Sequence, residues 1–101
     1  MTETVKDKQL AKQRLKPPNK YAVIFLNDDF TPMDFVVELL MKIFNHPSDI
    51  ANAITMEVHE KGQAVAGIYS KDIAETKMAQ VLQAASENEH PLRATLKEIN
   101  M

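Results

Sequence analysis

From about residue 20 onward the chain alternates apolar blocks with polar punctuation, and the spacing within each block predicts its element. YAVIFLN, 21–27, is the most apolar run. It is β-branched and aromatic, free of Gly and Pro, and predicts a buried central strand. Thr31 then suits a helix N-cap, with Pro32 at the first helical position and Asp34 at the third, where a carboxylate can answer the cap. The helix predicted over 32–45 turns Val36, Leu39, Leu40 and Ile43 to one side at steps of three and four. Pro47 and Ser48 restart the chain. A second helix follows with Ile50, Ala53, Ile54 and Val58 as its stripe and Lys61-Gly62 as its end. On it Thr55 and His59 share a face about 100° round from Ile54 and Val58, beside the core. QAVAGIYS, 63–70, alternates as a strand in which Gly67 marks a bulge or a close approach. Ser70 caps a third helix, 71–87, that turns Ala74, Met78, Val81, Leu82 and Ala85 inward, and LRATLKEI, 92–99, alternates as a closing strand. The order is β-α-α-β-α-β, which predicts an α+β fold: a two-layer sandwich of a three-stranded antiparallel sheet on three helices.

Composition limits what such a fold does. At 101 residues the chain holds one small core. Residues 1–19 are rich in charge, poor in large apolar side chains and closed by KPPN, so they predict a disordered N-terminal extension, with 20–101 as the core domain. The net charge of −2 divides unevenly: residues 1–20 carry six Lys/Arg against two Asp/Glu, and the other 81 carry six against twelve. An acidic body with a basic tail fits a cationic ligand and argues against a nucleic-acid partner. The absence of cysteine removes disulfides, thiolate nucleophiles and Cys-bound metals. The longest apolar run is six residues and the N-terminus has no apolar signal core, so a cytoplasmic protein without a membrane partner is expected.

Candidate chemistry is sparse. His46, His59 and His90 lie in separate segments without metal-binding spacing, so neither metal nor cofactor is expected. Asp28 and Asp29 are adjacent, and on an extended chain they point to opposite sides, which prevents them from sharing a proton as catalytic pairs do. By pattern alone they serve equally well as a solvated turn. Met33, Met56 and Met78 read as core filler. No enzyme is expected.

Four segments change this picture. NDDFTPMDFV, VHEKGQAVAG, DIAETKMAQV and ENEHPL, in this order and spacing, resemble the ClpS family, adaptors that hand N-degron substrates to the Clp ATP-dependent protease. The likeness runs from about Lys16 to Leu96. It implies a protein that binds the first residue of a polypeptide when that residue is Leu, Phe, Tyr or Trp. Asn27, Asp29 and His59 match the family's groups that hold the α-amine and first peptide unit, with Asp28 assisting by its charge. Thr31, Met33, Val36, Val58 and Leu92 match the walls of the side-chain pocket, where Met33 bars the β-branched residues. At Thr55 the chain departs from the family's common Met, implying a shorter, partly polar wall. Asp72, Glu75, Thr76 and Lys77 match the surface that docks on the N-terminal domain of a ClpA-like unfoldase, and the extension becomes an arm for that unfoldase to engage. A monomer is expected. The alternative is a non-enzymatic interaction domain of ribosomal-stalk-like architecture, which needs no amine-binding groups.

Overall fold

A computed structural model describes residues 19–100. The extension expected over 1–19, apart from Asn19, lies outside the described residues. The elements are β1 (Lys20–Leu26), α1 (Met33–Lys42), α2 (Ser48–Lys61), β2 (Gln63–Tyr69), α3 (Lys71–Glu87) and β3 (Arg93–Ile99), in the expected β-α-α-β-α-β order. The sheet is antiparallel throughout, ordered β2-β1-β3, so the most apolar strand is central. One sheet face meets the helices. Val23, Phe25, Ala64 and Ala66 pack there against Val36, Leu39, Leu40 and Phe44 of the α1 region, Ala51 and Val58 of α2, and Ala74, Val81 and Ala85 of α3. Phe25 and Phe44 meet edge to face at 5.6 Å between ring centres.

The strand pairing slips by one residue where Val23 faces Gly67 and Ile24 faces Val65, leaving Ala66 as the extra residue of a bulge. Val65 and Ile68, three apart, thereby both stand exposed. Gly67 meets both expectations for it. A Cβ there would lie 2.7 Å from ring carbons of Tyr69, so the bulge and the overlying ring need glycine together.

Helix boundaries depart from the sequence reading in specific ways. α1 ends at Lys42 rather than 45, because Asn45 takes a left-handed conformation (φ 57°) and His46 N–H closes onto the Leu40 carbonyl at 3.1 Å. Its N-cap is Pro32, with no side-chain cap bond, and Thr31 is turned back to Asp28 instead. Ser70 does stand at the α3 N-cap, also without a side-chain cap bond. The buried stripe of α2 is Ala51, Thr55 and Val58, whereas Ile50 and Ala53 are exposed. α2 packs against α1 and β2, where the neighbouring buried residues Ala64 and Ala66 are small. Leu82 of α3 likewise faces outward.

Candidate functional site

The junction of β1 and α2 is fixed by backbone. α2 ends at Gly62, whose left-handed φ of 87° lets its N–H close on the Val58 carbonyl at 2.9 Å. The Gly62 carbonyl then accepts the N–H of Asn27 at 2.9 Å, one residue beyond the Leu26–Gln63 pair of the sheet. The end of the central strand is thereby held beside the last turn of α2, which carries His59.

After Asn27 the chain turns around the Asp28 carboxylate. Its Oδ1 accepts the N–H groups of Phe30 at 2.8 Å and Thr31 at 2.7 Å, and Oδ2 accepts the Thr31 hydroxyl at 2.7 Å. Burial alone would raise the Asp28 carboxyl, but these hydrogen bonds, with a smaller contribution from His90, outweigh it and hold the group below its ordinary value. Both oxygens of Asp28 are thus occupied by the loop. The side chains of Asn27, Asp29 and His59, in contrast, make no hydrogen bond among the described residues.

The third contributor arrives from the α3–β3 connection. Glu89 adopts φ 58° and His90 N–H bonds the Ala85 carbonyl at 2.8 Å, which ends α3. The His90 ring then meets Phe35 of α1 edge-on at 4.5 Å, and Leu92 follows, buried.

Together these segments enclose a cavity of about 380 Å³ lined by Leu26, Asn27, Asp28, Asp29, Phe30, Thr31, Pro32, Met33, Val36, Thr55, Val58, His59 and Leu92. All ten residues named in advance for the amine and side-chain sites meet there. Asn27, Asp29 and His59 are exposed, whereas Val36, Thr55, Val58 and Leu92 are buried, so polar groups stand at the rim and apolar ones in the wall. Thr55 differs from the sequence expectation in two respects. It lies inside the buried stripe of α2 at 3 % exposure rather than beside it, and its hydroxyl is donated to the Ala51 carbonyl at 2.8 Å, so the wall gains no free donor there. Met33 and Met56 are also not core filler, being exposed at 41 % and 45 %.

Leu26, Phe30 and Pro32 line the cavity without having been foreseen. The signal was present for Phe30, an aromatic isolated between Asp29 and Thr31 with no periodic partner, and it stands 79 % exposed at the mouth. Of the four residues on α3, Asp72, Glu75 and Thr76 are exposed. Lys77 turns toward the body, donating to the Ile43 carbonyl at 2.6 Å and lying 5.6 Å above the Tyr69 ring. Burial raises the Tyr69 hydroxyl above its ordinary pKa. Among the described residues no cluster of His, Asp and Glu is arranged to hold a metal ion, and no helix is long and apolar enough to cross a membrane.

Comparison with known proteins adds three observations. A family model described as ATP-dependent Clp protease adaptor protein ClpS matches residues 16–95. The ATP-dependent Clp protease adapter protein ClpS of Hydrogenovibrio crunogenus is 45% identical over 91 residues, which is 90% of this chain and 88% of the relative. Among solved structures, Agrobacterium tumefaciens ClpS2 bound to L-phenylalaninamide matches with a TM-score of 0.79 and 35% identity, over 82% of this chain and 100% of that one.

Proposed function

The chain belongs to the ClpS family of Clp protease adaptors, which are not enzymes, and from that premise we propose that its cavity captures polypeptides beginning with Leu, Phe, Tyr or Trp for delivery to a Clp unfoldase and protease. Binding is a matter of where charge and hydrocarbon come to rest. A peptide α-amine has a pKa near 8 and is mostly an ammonium at neutral pH. Removing it from water without acceptors costs several kcal/mol. The Asp29 carboxylate, the Asn27 amide oxygen and the His59 ring, standing at the rim without partners among the described residues, supply those acceptors while the side chain enters the wall of Val36, Thr55, Val58 and Leu92. Burying a large apolar side chain contributes about 2–3 kcal/mol.

The observation that carries this reading is the juxtaposition of three polar groups, unpaired among the described residues, with an apolar-walled cavity of about 380 Å³. L-phenylalaninamide, the ligand in the Agrobacterium relative, offers a free amine and a benzyl group, the two features this cavity is built to meet. Met33 at the lip excludes β-branched side chains by shape, and a misfit of one methylene is worth about 1–3 kcal/mol. Asp28 acts through loop shape and charge.

Delivery uses other surfaces. The exposed Asp72, Glu75 and Thr76 of α3, with Lys77 beside them, form the docking face for the N-terminal domain of a ClpA-like unfoldase, and residues 1–19 form the arm it engages. The adaptor acts as a cytoplasmic monomer.

Fluorescence polarisation with peptides differing only at residue one tests the core of this. The Phe peptide binds at least about tenfold more tightly than the Ala peptide, and acetylation of the Phe peptide removes most of that affinity by deleting the cation. Equal binding of free and acetylated peptides would end the amine-capture account.

A further inference from the structure

A second cavity, of about 280 Å³, lies between α1 and α2, lined by Met33, Asp34, Val37, Asn52, Thr55 and Met56. Met33 and Thr55 line both cavities, so these two side chains form the partition between them. It is a weak partition. Thr55 is short, and its bond to the Ala51 carbonyl fixes its rotamer. Met33 is the first residue of α1, 41 % exposed, and its unbranched thioether swings on three torsions. Beyond it the lining continues apolar through Val37, one turn along α1, and Met56, with Asp34 and Asn52 also contributing.

We propose that the first-residue cavity opens past Met33 and Thr55 into this second chamber, and that the protein therefore accepts N-terminal side chains longer than those of Phe or Tyr. The ligand class is a polypeptide or amino-acid amide whose first side chain is an aromatic extended along its para axis. The occupant of the second chamber is the distal end of that side chain, since the chamber shares Met33 and Thr55 with the cavity that takes the proximal ring. The inference rests on the first-residue reading above and adds a lateral extension to it. Displacement of Met33 joins the two volumes, and Thr55 is the residue that sets how far the joined space can be filled.

The test compares peptides beginning with Phe and with 4-phenylphenylalanine on the full chain. The native protein binds the longer residue within about threefold of Phe. A closed wall would reject it by tenfold or more, the range over which apolar pockets discriminate by size. Thr55→Met fills the partition and raises the ratio of the two dissociation constants at least about tenfold. Because position 55 is buried, Asn52→Phe provides a second block from an exposed position that lines the outer chamber alone, and it raises the same ratio while leaving Phe binding unchanged. Tight Phe binding with rejection of the longer residue overturns the inference and leaves the first-residue reading standing. A ratio indifferent to both substitutions also overturns it. Failure of the Phe peptide itself overturns both.

Discussion

Asp28 and Asp29 are chemically identical neighbours with different surroundings. Asp28 accepts three hydrogen bonds from its own loop, whereas Asp29 is exposed and unengaged among the described residues. Two predictions separate them. Asp28→Asn should cost about 1 kcal/mol of stability at pH 7. Because the folded-state pKa of Asp28 lies below the unfolded value near 4, its contribution is present above about pH 4 and is lost as the pH falls through the lower, folded-state value. Denaturant melts of native and variant should therefore converge in acid. Asp29→Ala should instead leave the melt within about 0.5 kcal/mol and weaken a Phe peptide by about 10–100-fold, the worth of a hydrogen bond to a charged group. His59→Ala should act in the same direction. Residue pattern alone did not separate the two, and only the family resemblance set Asp29 apart from Asp28. A helix-start motif does not say which of two polar side chains will accept, and Thr31 was assigned the cap that its turn toward Asp28 precludes.

At the level of elements, the strands and the existence of three helices followed from periodicity, because β1 has no competing pattern and α3 has a long one. The α2 stripe did not. Ile50 and Ile54 outweigh Ala51 and Thr55 on any hydrophobic count, yet where α2 packs on β2 the fully buried residues are the small Ala51, Ala64 and Ala66, Ile54 is only partly buried and Ile50 is exposed, and close packing favours small side chains over large ones. That rotation of α2 put Thr55 in the wall. Gly67 was readable because glycine inside a strand has few explanations. Gly67→Ala should destabilise the fold by about 1–3 kcal/mol through its clash with the Tyr69 ring. Pairing it with Tyr69→Leu should recover part of the loss, measured as coupling in a double-mutant cycle.

Across the described residues the proposed amine-binding rim and the exposed side of α3 are separate surfaces sharing no named residue. Peptide capture and unfoldase docking should accordingly be separable. Asp72→Lys with Glu75→Lys should abolish degradation of a Phe-starting substrate by the unfoldase and protease while leaving its affinity for the adaptor unchanged. Deleting residues 1–15 should have the same signature. A loss of affinity in either case would tie the surfaces together. The proposed docking face rests on motif resemblance alone, since exposed charge on a helix has no periodic signature distinguishing a partner from water.

The cavity draws its walls from the turn after β1, the first turn of α1, the last two turns of α2 and the lone Leu92 ahead of β3, pieces spread over most of the described chain. Such a cradle has no meaning in a fragment. Cargo and native conformation are therefore linked by mass action: a saturating Phe-starting peptide, at about a hundred times its dissociation constant, adds roughly 2.7 kcal/mol against unfolding. The adaptor is hardest to melt when loaded, and once it lets go it is also at its most perishable.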